Sequence, residues 1–281
     1  MGITNYHTHT AFCDGQGEPE EYVLESINCG LQAIGFSSHA PVPFTNNWAL
    51  QARQIDEYCR TVNSLKKKYA GLIQIYLGME IDYLPQMCYR LSDFEELNLD
   101  YTIGSVHFCP EPVAGKFLSV NASEDNIVRL IDFKGSVEEF VGSYYESVRN
   151  MVRILKPNII GHLDLIKKYN HEDKYFSESH GWYQDEILNT LKVISEYGAI
   201  LEINTSGLYR GEVQEFYPSK WVLQEARNFE VPVMINSDAH SPEAVNAKFS
   251  EAKKALLEAG YTEQMILLDH TWKSKRLGNE N

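Results

Sequence analysis

The sequence predicts an α/β fold of repeated βα units around a parallel sheet, and three observations carry that prediction. Seven short runs rich in β-branched and apolar residues recur along the 281 residues: ITNYH, AIGFSS, IQIYLGME, YTIGSV, NIIGH, AILEIN and VPVMIN. Amphipathic helical stretches separate them. Each run carries an ionisable residue in or just beyond its C-terminal half, the edge where the active site of a βα barrel sits. No Pro- or Gly-rich linker divides the chain, so 1–281 reads as a single domain.

Taken in order, the first run ends in His7 and His9, with Asp14 following in a Gly-containing turn, and the second leads into His39. In 51–70, Ile55, Tyr58, Val62, Leu65 and Tyr69 recur at steps of three and four, one apolar helix face. The third run contains Glu80 and the fourth leads to His107. Residues 109–135 read as a loop over one face. Ser136 and Glu139 then form a capping-box start for a helix with Val137, Phe140, Tyr144, Val148, Met151 and Leu155 on its buried side. His162 ends the fifth run, and 165–180 reads as a second loop. The sixth run holds Glu202 and Asn204, and the seventh ends in Asp238 and His240. SEAKKALLEAG is a last helix, closed by Gly260.

Composition narrows the function. The hydrophobic fraction of 43% supports a full-sized core, and the net charge of −14 with no basic run longer than Lys66–Lys68 argues against a nucleic-acid grip. It does not exclude an anionic substrate, because bound metal reverses the local field. Five cysteines without a CxxC pair, no basic-apolar leader and no apolar run near 18 residues predict a reduced, cytoplasmic protein that does not engage a membrane. The chain has no GxGxxG and no GxxxxGK[ST], so a nucleotide-binding open sheet lacks its usual signature. An open sheet and a closed barrel both remain.

The ionisable residues fit metal ligation. Side chains at i and i+2 on a strand share a face, so His7 with His9, and Asp238 with His240, each present two heads to one centre. Imidazole with carboxylate suits Zn, Mn or Fe, and a glutamate such as Glu80 can bridge two ions. Singly, an HxH or DxH recurs by chance, and His162 or Glu202 also fits a core hydrogen-bonding role. Their common register at one edge is the signal. His171, His180 and His270 fall in loops or the tail and read as surface residues.

HxH, SSHAP, GMEIDY, GSVH, GHLD, EINTSG and SDAH closely resemble the PHP family, named for polymerase and histidinol phosphatase, over nearly the full chain. FSSHAPVPF, GSVHF, GHLDLIKKY and EINTSGLYR are most similar to its histidinol-phosphate phosphatase branch. The resemblance implies a distorted, TIM-like (β/α)7 barrel with a centre of two or three divalent ions. It assigns His7, His9, Glu80 and Asp238 to a first metal, and Glu80, His107 and His162 to a second. Asp14, His39 and His240 would surround a third. Many members have histidine where this chain has Asp14, and a carboxylate there lowers the nitrogen count of the third site; if that site is empty or labile, Asp14 and His39 become a proton-transfer pair.

The expected reaction is hydrolysis of the phosphate monoester L-histidinol phosphate by a metal-bridging hydroxide. The alcohol leaving group needs a proton, from Asp14, His39 or His240. Arg210 and, more weakly, Lys167 are candidate phosphate contacts. Tyr83, Glu111, Tyr209 and Glu212 lie on loops suited to the cationic end of the substrate. Alternatives are another PHP phosphoesterase, acting on phosphotyrosine or nucleotides, and a non-catalytic metal-binding protein. The sequence does not speak to oligomeric state.

Overall fold

The computed structural model describes residues 3–85, 91–111 and 116–278. In chain order the elements are β1 (Ile3–Asn5), α1 (Pro19–Asn28), β2 (Leu31–Phe36), α2 (Ile55–Lys68), β3 (Gln74–Asp82) and β4 (Tyr101–Ser105). A small hairpin follows, β5 (Phe108–Pro110) and β6 (Phe117–Ser119), then α3 (Glu124–Lys134) and α4 (Val137–Leu155). The remainder is β7 (Ile159–Ile160), α5 (Gly181–Tyr197), β8 (Ile200–Asn204), α6 (Ser206–Tyr209), α7 (Lys220–Asn228), β9 (Val233–Asn236), α8 (Phe249–Glu258), β10 (Glu263–Leu268) and β11 (Thr271–Arg276).

The seven expected runs are the seven strands of one all-parallel sheet, ordered β1-β2-β3-β4-β7-β8-β9. The sheet nearly closes on itself. Just past β1 and β9, Thr8 and Ala239 form a parallel bridge, with His9 N–H donating to Ala239 O at 2.8 Å and Ala239 N–H to His7 O at 3.2 Å. The result is a distorted seven-stranded barrel wrapped by helices, which settles barrel over open sheet.

The helices form where the apolar spacing places them. Ser136 Oγ accepts from Glu139 N–H at 3.1 Å and starts α4, which buries Phe140, Tyr144, Val148, Met151 and Leu155. α2 buries Tyr58, Val62 and Leu65. Gly260, at φ +94, takes the left-handed turn after α8 that a side chain would resist.

The lower half of the barrel is filled by aromatic rings. Tyr6 packs edge-on against Tyr101 at 5.8 Å and against Tyr76 at 6.0 Å. Gly35 and Gly78 make this possible, since a Cβ on either would stand 2.8 or 2.2 Å from the Tyr101 ring. The β10–β11 hairpin caps that end, with Tyr6 Oη donating to Leu267 O at 2.7 Å and Trp272 against the Tyr6 ring. Closing one end with tyrosines and a hairpin leaves the C-terminal ends of the strands as the open face.

Two expectations change. Residues 109–135 are not a loop: the stretch folds into the β5–β6 hairpin and α3, capped by Ser123, with 112–115 outside the described residues. The stretch 165–180 holds two 3₁₀ turns, Leu165–Tyr169 and His171–Asp173. The sequence reading also passed over the β10–β11 hairpin, whose outer strand TWKSKR is too polar to announce itself. Among the described residues no helix is long and apolar enough to cross a membrane. Cys13, Cys29, Cys59 and Cys109 are free thiols, and Cys88 lies outside the described residues.

Candidate metal centre

The predicted ligands reach the open face from strand ends, except Asp14, which comes from the exposed turn after β1. His7 and His9 extend beyond β1, His39 follows β2, and Glu80 lies within β3. His107, His162 and Asp238 each sit two residues past β4, β7 and β9. Asp238 takes a left-handed backbone, φ +51, a conformation that short polar side chains tolerate and that collects at functional sites.

The side chains converge in three overlapping groups. His7 Nε2 and His9 Nε2 lie 3.4 and 3.3 Å from Glu80 Oε2, and 3.5 and 3.3 Å from Asp238 Oδ1. Glu80 Oε1 lies 3.1 Å from His162 Nε2 and 3.8 Å from His107 Nε2, and the two histidine nitrogens are 3.1 Å apart. Asp14 Oδ1 stands 3.4 Å from His240 Nε2, 3.7 Å from His39 Nε2 and 3.7 Å from His9 Nδ1. His7 with His9 and Glu80, Glu80 with His107 and His162, and His9 with Asp14, His39 and His240 each bring their donor atoms within 4.8 Å of one another, and Asp238 joins His7 and His162 in a fourth such group.

The donors fit divalent ions on two counts. Two atoms that each hold an ion at about 2.1 Å stand about 3–3.5 Å apart at octahedral or tetrahedral angles. His7 Nε2, His9 Nε2, His39 Nδ1, Glu80 Oε2 and Asp238 Oδ1 are also buried without a hydrogen-bond partner. An orphaned buried polar atom costs about 1–3 kcal/mol, a cost that coordination to a cation would remove. Burial disfavours charge on His7, but Glu202, Asp238 and Glu80 outweigh it and raise its pKa well above the usual imidazole value. Burial likewise opposes ionisation of Glu80, and His39, His7 and His107 reverse it, holding Glu80 well below the carboxylate range.

A second layer sets the tautomers: Glu202, in the hydrogen-bonding role the sequence left open for it, and Asp82, which the sequence reading did not single out. Glu202 Oε1 lies 2.7 Å from His7 Nδ1, so a neutral His7 keeps its proton there and turns the Nε2 lone pair to the centre. Asp82 Oδ1 does the same for His107 at 2.6 Å, and Ser105 Oγ donates to Glu80 Oε1 at 2.6 Å. Glu202 also accepts from His162 N–H, Asn204 Nδ2 and Asn236 Nδ2. All four of its partners are donors, so an amide in its place would set N–H against N–H. Glu202→Gln is expected to weaken metal binding about 10–100-fold, measured by competition with a chromogenic chelator; unchanged affinity would show that the layer is dispensable. Asp82 repeats the face of Glu80 two residues on, a signal the sequence did offer.

The site opens into a cavity of about 250 Å³. It is lined by Asp14, His39, Glu80, His107, His162, Asp238 and His240, by the aromatic rings of Trp48 and Phe108, and by the charged groups of Lys168, Arg210 and Glu212. Arg210 Nη2 donates to His240 Nδ1 at 2.6 Å, beside the third group. Lys167 is not in this cavity. Its Nζ is enclosed by Glu178, Glu215 and Asp164, while Lys168 faces the metal ligands. Adjacent residues on a 3₁₀ turn point about 120° apart, so the two lysines take opposite sides. Of the four residues considered for the substrate's far end, only Glu212 lines the cavity. Glu111 pairs with Arg129, and Tyr209 Oη donates to Asp238 O. His171, His180 and His270 are exposed, as expected. Residues from 109–135 and 165–180 do overlie the site, through Ser119, Asn121, Ala122, Leu165 and Lys168.

The PHP domain model matches residues 5–206. The chain belongs to the PHP family. Histidinol-phosphatase of Bacillus subtilis is 30% identical over 250 residues, 83% of this PHP chain and 92% of the relative. A crystal structure of a Listeria monocytogenes protein assigned as the histidinol phosphatase HisK superposes with a TM-score of 0.81 at 24% identity, covering 89% of this chain and 99% of that one. The histidinol phosphate phosphatase of Lactococcus lactis, complexed with zinc, L-histidinol and phosphate, superposes with a TM-score of 0.72 at 21% identity, covering 96% and 98%. At these identities the structural likenesses speak for the shared PHP barrel.

Proposed function

We propose that this PHP protein hydrolyses L-histidinol phosphate to L-histidinol and phosphate with two or three bound Zn, Mn or Fe ions, in the cytoplasm. The curated relatives carry the phosphatase class itself; the substrate and the mechanism are the proposal. The observation that supports it most is the set of partnerless buried donors facing a cavity that Arg210 and Lys168 also line.

His7, His9, Glu80 and Asp238 would hold one ion, Glu80, His107 and His162 a second, and Asp14, His39 and His240 a third, with His9 Nδ1 beside it. When bound, the ions neutralise phosphate charge and activate the attacking water. The chain's own groups do the rest. Arg210 and Lys168 orient the phosphoryl oxygens, Arg210 from a position fixed by His240. Where only two ions bind, His39 and Asp14, 3.7 Å apart in the cavity wall, become a proton-transfer pair, with His39 holding the proton that the leaving alcohol takes. Trp48 and Phe108, with rings 5.4 Å apart and nearly parallel, exclude water and offer a flat face to an imidazole.

The test is phosphate release from L-histidinol phosphate beside phosphotyrosine and nucleoside monophosphates, with metal content measured on the same sample. The reading expects highest kcat/KM for L-histidinol phosphate. Preference for another ester redirects the substrate, and no turnover of any ester by metal-loaded protein overturns the assignment. Arg210→Ala is expected to lower kcat/KM about 10²-fold, with Arg210→Lys recovering little because one ammonium cannot reproduce the planar fork.

A further inference from the structure

In the wall of the metal cavity Lys168 Nζ and Glu212 Oε1 form an ion pair at 3.0 Å that joins two separate βα crossovers. Both line the metal cavity, and both are largely shielded, at 18% and 28% side-chain exposure. Glu212 is not a loose surface carboxylate. Its N–H donates to Gly207 O at 2.8 Å, Val213 N–H shares the same acceptor at 3.2 Å, and Gly211 before it takes the left-handed turn, φ +70. The same cavity is lined by seven metal-ligand candidates and a second cation, Arg210. Glu212 is therefore an anion standing where a phosphate must enter.

We propose that Glu212 is a specificity-determining residue, which selects phosphate monoesters bearing a protonated amine by exchanging Lys168 for the substrate's ammonium. The inference rests on the phosphatase reading above. A phosphate arriving at the metal ligands draws Lys168 toward itself, and Glu212 is then left without a counter-charge in a partly desolvated cavity. An ester that brings its own ammonium restores the pairing, so two ion pairs replace one and no charge is stranded. An ester without an amine leaves the Glu212 carboxylate facing the phosphate dianion across the same small cavity, and repulsion rejects it. Discrimination thus comes as much from what Glu212 repels as from what it holds.

The test uses metal-loaded protein and a matched pair of substrates: L-histidinol phosphate and 3-(imidazol-4-yl)propyl phosphate, the same ester without its amine. Wild-type protein is expected to prefer the amine-bearing ester at least about tenfold in kcat/KM, a size in keeping with one hydrogen-bonded charge pair. Glu212→Gln is expected to erase most of that preference, with the loss in KM. By titration calorimetry the same variant is expected to bind L-histidinol about tenfold more weakly, and inorganic phosphate no more weakly than wild type. Lys168→Met is expected to weaken both esters alike and to keep the preference. Equal handling of both esters by the wild type overturns this inference alone, as does a Glu212→Gln variant that keeps the preference or loses both esters equally. A wild type active on the deamino ester but inert on L-histidinol phosphate overturns the substrate reading as well.

Discussion

Glu80→Ala is expected to abolish phosphate release, by about 10³-fold or more, and to strip metal from the purified protein. Glu80 is fully buried and its two oxygens serve different groups: Oε2 faces His7 and His9, Oε1 faces His107 and His162. Removing it therefore opens two sites at once, where removal of one transition-state donor costs about 10²–10³-fold. It also leaves the surrounding imidazoles without the carboxylate that holds their charge, so the metal-free variant is expected to melt lower than metal-free wild type. Glu80→Gln separates the two effects. It keeps the shape and the Ser105 contact but not the charge, and is expected to fold better than the alanine variant while staying inactive and metal-poor. Inductively coupled plasma mass spectrometry on both variants, beside a phosphate-release assay, checks this; normal turnover in either contradicts the bridging role.

Chelation carries the second large effect. Dialysis against a strong chelator is expected to remove activity, and Zn, Mn or Fe to restore it. Binding at 10³ times Kd stabilises by about 4 kcal/mol per site, which for a chain of this size is a melting shift on the order of 10 °C. The gap should widen with pH. Burial opposes the charge on His39, yet Glu80 outweighs it and moves its pKa to about 9; His7 and His9 are also raised. A raised folded-state pKa adds stability that is fully present below the unfolded value, about 6.5, and is lost as pH climbs through the folded one. Metal-free protein should therefore lose stability between pH 6.5 and 9. Metal binding needs neutral imidazoles and strengthens over the same window. Scanning calorimetry of both forms at pH 6.5, 7.5 and 8.5 tests it, and parallel curves would contradict it.

The first layer of this site was legible because it obeys the strand period. His7 with His9 fall on one face by simple alternation, and each further ligand sits at the same end of a run readable from its β-branched residues. Barrel closure was less so, since it depends on the Thr8–Ala239 bridge between chain ends that no local pattern marks. The second layer was hidden for a chemical reason: Glu202 on an apolar strand reads equally as a buried brace, and only its 2.7 Å approach to His7 gives it a role. Lys167 and Lys168 illustrate phase. Both are basic and adjacent, and the choice between them lies in a 3₁₀ turn that composition does not announce. In 109–135, Ser123 and Gly135 flank a helix of weak apolar stripe, which made a hairpin and a helix look like irregular cover.

The most direct measurement of the central claim, that donors from six of the seven strands converge to hold several ions, is anomalous X-ray diffraction from metal-loaded crystals, collected at the absorption edge of the metal found in solution. It should place one peak among His7, His9, Glu80 and Asp238 and another among Glu80, His107 and His162. Featureless maps at both positions, from protein that still releases phosphate from L-histidinol phosphate, would contradict it.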